Sequence, residues 1–232
     1  MPQPLPKHLY NSEIHICNSD DSPSTHRPAL ALLAMSVIAE WSILDSLLNA
    51  IFVKLLGLSA EIGFTIFDSI TGAAAQRAAF SAVAQLRLNE DEFEVFSALA
   101  DEAKSIRKIR NSLAHGVWGH AAKIPDGVLL VDAADLMKAH VSQIDVEANK
   151  TKFNPGNFPI DKIQVYYATD FEKTSERIRN LMAYVKVFTI IISPNPGHPL
   201  DGLELDRLAR VPGLQTALSP RLREQKIRPA MT

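Results

Sequence analysis

A chain of 232 residues with 47% hydrophobic content can bury a substantial core, most simply as one domain of about 165 residues with extensions. A formal net charge of −2 and a pI near 6.4 exclude a globally basic nucleic-acid binder, so any RNA contact has to use a local basic patch. The single cysteine, Cys17, excludes an internal disulfide framework and a cysteine-rich zinc site.

Residues 1 to 27 carry four prolines and many small polar residues, and read as a flexible arm. The opening MPQPLPKHLY lacks the charged start and apolar run of a signal peptide, which makes a cytoplasmic location the default expectation. From Pro28 to Leu56 the chain is long and apolar enough to raise a membrane question. Glu40 and Asp45 near its middle answer it, since each central acid opposes insertion by roughly 2.5 to 3.5 kcal/mol. No membrane span is expected; a long, largely buried helix accounts better for the segment, with the two acids on a narrow polar edge or in a cleft.

A second helical region covers 59 to 88, with a break near Thr71-Gly72. Its later half, GAAAQRAAFSAVAQL, has the small side chains that permit close helix approach. Residues 90 to 114 follow without Gly or Pro, and Phe93, Phe96, Leu99, Ala103, Ile106, Ile109 and Leu113 recur at three- and four-residue steps, predicting an amphipathic helix. Acids at its start, bases at its end (Lys104, Arg107, Lys108, Arg110) and Gly116 as the stop complete the pattern.

Val117 to Lys123 and Val128 to Val131 flank Pro125-Asp126-Gly127, a hairpin signal, and KIQVYYA at 162 to 168 supplies a third short strand. A short helix is expected at 134 to 141 between them. A last long helix runs from Asp170 to about Ile192, although VFTIII at its end has strand composition. Pro194, Pro196 and Pro199 then terminate it. The expected fold is therefore mainly α, a bundle of about four to five helices with a small hairpin or three-stranded sheet after the 90–114 helix. Its domain covers 28–192, and 193–232 is a proline-containing basic tail with one short helix at 203 to 209. Within the tail, Arg207, Arg210, Arg221, Arg223, Lys226 and Arg228 face the single acid Glu224, an excess of five positive charges suited to gathering RNA.

The chemistry concentrates at Ile109-Arg110-Asn111-Ser112-Leu113-Ala114-His115-Gly116, where an arginine, an amide and an imidazole stand on the last turns of the predicted helix. Such a set can bind or cleave a phosphodiester. Asn111 and His115 share a face, but Arg110 and His115 diverge by about 140° on an ideal helix. Either the helix unwinds at His115, as Gly116 permits, or a second copy completes the site, which favours a homodimer. On the residues alone, Arg110 and His115 are most simply cations that meet free carbonyls at a helix C-terminus. Asn111 either orients His115 or satisfies a loop carbonyl.

Arg110 to His115 fits the R-x4-6-H signature of HEPN domains, and RNSLAHG resembles the RNxxAHG form common in bacterial members of that family. The family is all-helical, and many members are metal-independent ribonucleases with a cleft between two protomers. The resemblance implies catalytic roles for Arg110 and His115, with Asn111 beside the arginine. Arg107, Lys108 and Lys104 would bind RNA, and Glu40 and Asp45 would support the cationic pair. His115 would act as base on the ribose 2′-hydroxyl or as acid toward the 5′-oxygen, Arg110 would stabilise the phosphate, and neither metal nor cofactor is implied. Partners so implied are RNA or a nucleotide and a cognate antitoxin, as in toxin or defence systems. The specific match spans about eight residues, and Val117 stands where some toxin members carry a regulatory tyrosine.

The alternative function is a non-catalytic module binding a nucleotide, RNA or protein in the same pocket, and a third is a purely structural scaffold. His15 with Cys17, or His115 with His120, lacks the ligand set of a metal site. P-loop, dinucleotide-binding and nucleophile-elbow signatures are absent from the sequence. Trp118, Tyr166 and Tyr167 read as packing residues of the sheet before base-stacking ones.

Overall fold

The computed structural model describes residues 2–10, 14–16, 23–148 and 160–192. The basic tail, with its expected helix at 203 to 209, lies outside the described residues, as does Cys17. The described chain is mainly helical, with a small antiparallel sheet of five strands. It divides into two compact units, Met1–Trp41 with Ile106–Arg177, and Ser42–Ser105 with Ile178–Thr232.

The first unit holds the sheet. Its strands are β1 (Gln3–Pro4), β2 (Ile14–Ile16), β3 (Val117–Ala121), β4 (Gly127–Val131) and β5 (Gln164–Tyr167), in the order β1-β5-β4-β3-β2. The 117–131 hairpin and the 162–168 strand stand where alternation and the Asp-Gly turn placed them. Two findings correct the sequence reading. The sheet has five strands instead of three at most, and the expected flexible arm supplies the two outermost ones. Leu5, 2% exposed, shows why: together with Ala121, Ile124, Leu129, Val131, Ile163 and Val165 it forms the core on one sheet face. The prolines obscured this because short edge strands tolerate proline, which central strands do not.

The other sheet face carries alternate residues. Trp118 and Tyr166 both stack on Phe171, with ring centroids 6.4 and 5.5 Å apart. Phe171 belongs to α7 (Ala168–Ile191), whose first turn is fixed by Asp170: its Oδ2 accepts from the Tyr167 amide at 3.0 Å. This unit also holds the short α1 (Pro23–His26), within the expected arm, and α6 (Ala133–Ala148), which runs longer than the expected 134 to 141. Asp132 caps it by accepting from the Ala134 amide at 2.8 Å.

The second unit is built on phenylalanine. α2 (Pro28–Leu56), α3 (Ala60–Ser69), α4 (Ala73–Arg87), α5 (Glu90–His115) and α7 contribute to it from Ser42, up to Ser105, and from Ile178 onward. Phe52, Phe67, Phe80, Phe96 and Phe188 form a chain of ring contacts with centroids 4.9 to 6.4 Å apart. The break between α3 and α4 falls at Gly72, whose φ of 92° is open to glycine and costly for other residues. The VFTIII segment is helical through Ile191: Phe188 within it and Val185 just before it are buried at 0% exposure, so helical burial overrides β propensity. α2 departs from expectation in the other direction. It is not largely buried, since only 28% of its most apolar eighteen residues is covered.

Candidate functional site: the C-terminal half of helix α5

α5 starts with a reciprocal cap. The Glu92 amide donates to Asn89 Oδ1 and the Asn89 amide to Glu92 Oε2, both at 2.9 Å. The helix then stays regular through His115, so the unwinding that would have turned His115 toward Arg110 does not occur. Gly116 ends it without a left-handed backbone. A Cβ there would lie 2.5 Å from the Ser112 carbonyl oxygen and 2.8 Å from Leu130 Cδ1. Close approach of the helix end to β4, not conformational freedom, requires this glycine.

Two of the end carbonyls of α5 are satisfied locally. The Gly116 amide donates to the Ser112 carbonyl at 2.8 Å, and the Trp118 indole N–H donates to the Leu113 carbonyl at 3.0 Å. Trp118 is the residue the sequence reading missed as part of this region; an indole donor five residues past a helix-end leucine was the available signal. Arg110 is directed elsewhere. Its Nη1 donates to Asn111 Oδ1 at 3.0 Å, so Asn111 takes up neither role expected of it and holds the guanidinium instead. Arg110 is half-buried, and its Nε, sealed from solvent, has no hydrogen-bond partner among the described residues.

His115, Asn111, Lys108 and Lys104 are exposed and follow one another up α5 at steps of four, three and four, forming one outward line. Among the described residues no hydrogen bond orients His115. Arg107 is half-buried with its guanidinium 5.4 Å from the centroid of the Trp41 ring, a cation–π position that anchors it against α2. Of the expected supporting acids, Glu40 and Asp45 are both half-buried, in the first and second unit respectively.

Tyr166 is buried, and desolvation together with the nearby Asp170 carboxylate pushes its hydroxyl up to about 12. It and Trp118 are packing residues, as the stack on Phe171 requires. His120 lies against His15, its cross-strand partner, with ring centroids 4.9 Å apart, and against His26 at 4.3 Å. The first pair is stacked and the second tilted by 32°, and no group of three potential ligands able to hold a metal ion occurs among the described residues. Comparison with protein-family models, with curated proteins and with solved structures returned no match for this chain.

Proposed function

We propose that this protein is a metal-independent ribonuclease of HEPN type, its helices forming the family's bundle, which cleaves RNA on the outward face of α5. The observation that carries the reading is the Arg110–Asn111 hydrogen bond. It holds the guanidinium beside Asn111, which shares an exposed face with His115, so a fixed cation and an open imidazole are both presented by the end of α5. Because Trp118 and Gly116 meet the Leu113 and Ser112 carbonyls, Arg110 is not consumed in capping the helix. Lys104 and Lys108 extend the face as a basic track for the sugar–phosphate chain.

In the reaction, the ribose 2′-oxygen bonds to phosphorus while the bond to the 5′-oxygen breaks. A proton leaves the 2′-hydroxyl and another is delivered to the 5′-oxygen, and His115 performs one of these transfers. The Arg110 guanidinium neutralises the charge that builds on the non-bridging oxygens. The products are a 2′,3′-cyclic phosphate and a free 5′-hydroxyl. A cleft between two copies would set Arg110 of one against His115 of the other, and the unbroken helix through His115 favours that arrangement over one copy acting alone. A cytoplasmic toxin or defence role, with an antitoxin as partner, belongs to the same proposal.

Wild-type protein incubated with single-stranded RNA and EDTA tests the chemistry, with cyclic-phosphate ends as the readout. Mixing Arg110→Ala with His115→Ala tests the shared cleft, because mixed dimers rebuild one intact site only if the site spans two copies. The second reading, a binding module without turnover, is favoured by the absence of an orienting hydrogen bond on His115 among the described residues. It is identified by RNA binding that Arg110→Ala weakens, with no cleavage above that of an identically prepared variant.

A further inference from the structure

We propose that the imidazoles of His15, His120 and His26 form a pH-sensitive latch, which holds the N-terminal segment on the sheet at neutral pH and releases it on acidification. All three residues belong to the unit that holds the sheet. The strand order ends at β2, a three-residue strand paired with β3 alone, and α1 beyond it is a single turn. Elements this short do not persist without tertiary contacts.

Period-two alternation supplies those contacts on both faces. Ile14 and Ile16 pack against the core cluster that contains Leu5 and Val165. His15, between them, is directed to the opposite face, and its cross-strand partner is His120. The two rings stack with centroids 4.9 Å apart and planes 11° apart, and His26, the last residue of α1, lies against His120 at 4.3 Å. His120 is 9% exposed, His15 is half-buried and His26 is exposed. Gly119 permits this close seating of β2, since a Cβ there would run into the His15 carbonyl oxygen and lie 2.7 Å from Ile16 Cδ1.

Such a stack suits neutral rings. Histidine gains its charge between about pH 8 and 5, and a second imidazolium formed beside the first is opposed by like charge and, at His120, by burial as well. The groups around His120 carry the same sign. Of the elements packed on β3, β2 offers His15, α1 offers His26 followed by Arg27, and β4 is Gly-Val-Leu-Leu-Val, without an ionisable side chain. Arg27 donates from Nη1 to the His26 carbonyl at 2.9 Å, which keeps a permanent cation at the end of α1. Asp20 and Asp21, between β2 and α1 in the sequence, lie outside the described residues. Once the segment opens, the three rings separate and accept protons independently. Opening therefore takes up protons, and its equilibrium constant rises about tenfold per pH unit for each proton taken up. Release uncovers the outer edge of β3 along Gly119–Ala121, a strand edge able to pair with another chain. The latch uses neither Arg110 nor His115, so it stands or falls apart from the ribonuclease reading.

Hydrogen–deuterium exchange on the full chain from pH 7.5 to 5.5, corrected for the intrinsic pH dependence of exchange, is the test. Peptides carrying Ile14–Ile16 and Gly119–Ala121 should lose protection about tenfold per pH unit, while Gly127–Val131 keeps its own. His120→Phe retains a flat ring in the stack but takes up no proton, and should hold the protection level across the range. His15→Phe and His26→Phe, at less buried positions, should each flatten the response in part, which keeps the test decisive even if His120→Phe does not fold. Asp20→Asn with Asp21→Asn should leave the response in place. Protection that is flat in the wild type, that falls as steeply in His15→Phe and His26→Phe as in the wild type, or that stops responding in the Asp20→Asn/Asp21→Asn chain would overturn the proposal.

Discussion

Two long helices of this chain have opposite outer faces. α5 turns Lys104, Lys108, Asn111 and His115 outward, whereas α2 turns Leu32, Ala39, Ile43 and satisfied serines outward. Both keep a buried stripe, so amphipathicity accounts for their folding in each case and decides nothing about function. What each helix does is written on its unburied half. A face of cations and an imidazole suits a polyanion, whereas a charge-free face offers it nothing to bind.

The largest effect that sharpens this contrast is on chemistry. His115→Ala and Arg110→Ala should each lower the rate of RNA cleavage by about 10² or more, the scale of a lost proton-transfer or electrostatic group. Both should keep the wild-type mass by light scattering. Asn111→Ala isolates the hydrogen bond to Arg110. It should lower the rate by less than Arg110→Ala does, and a rate equal to wild type would show that the guanidinium finds its place without Asn111.

A charge swap between the two faces comes next. Lys104→Glu with Lys108→Glu should weaken RNA binding and flatten its salt dependence by about 1.4 in log–log slope, from two lost phosphate contacts at about 0.7 each. It should leave the oligomeric mass unchanged. Ser36→Lys, on the charge-free outer face of α2, should leave both the salt dependence and the cleavage rate unchanged.

Much of this was legible in the sequence, and the reasons for the failures are physical. The ends of α2 and α5 and the hairpin around Asp126-Gly127 followed from periodicity, capping residues and turn chemistry, all of which act within a few residues. The edge strands Gln3–Pro4 and Ile14–Ile16 did not, because they exist only through pairing with β5 and β3, more than a hundred residues away. The exposed side of α2 was invisible for a similar reason: a helix apolar all round reads as buried, and only the packed structure shows which half is left open. Within the candidate site, Arg110, Asn111 and His115 could be named from their types and spacing. The bond from Arg110 to Asn111 could not, since adjacent residues on a helix point about 100° apart and only a long side chain bridges them.

The attachment of α5 to the sheet gives a smaller effect, on stability. Gly116→Ala would bring a Cβ to 2.5 Å from the Ser112 carbonyl oxygen and under 3 Å from Leu130. Overpacking of this kind costs about 1 to 3 kcal/mol, to be read from urea unfolding. Removing the Trp118 indole donor, by Trp118→Phe, should destabilise by about 1 kcal/mol through the unsatisfied Leu113 carbonyl. If either variant also lost RNA cleavage at unchanged stability, the sheet would be setting the position of His115 as well as holding the helix.

The smallest effect lies at high pH and concerns the stack beneath that attachment. Tyr166 packs on Phe171 with its hydroxyl raised from 10.0 to about 12, first by desolvation and then by the Asp170 carboxylate. A folded-state value above the unfolded one means that the unfolded chain loses its proton first as pH rises. The contribution of Tyr166 is therefore fully present below pH 10 and is lost progressively as pH climbs from 10 toward 12. Thermal unfolding across that window should show a decline in stability that Tyr166→Phe makes shallower, while leaving the neutral-pH Tm nearly unchanged. An alkaline slope identical in wild type and Tyr166→Phe would mean that the hydroxyl is solvated, and the sheet face under α7 would have to be looser than its buried rings imply.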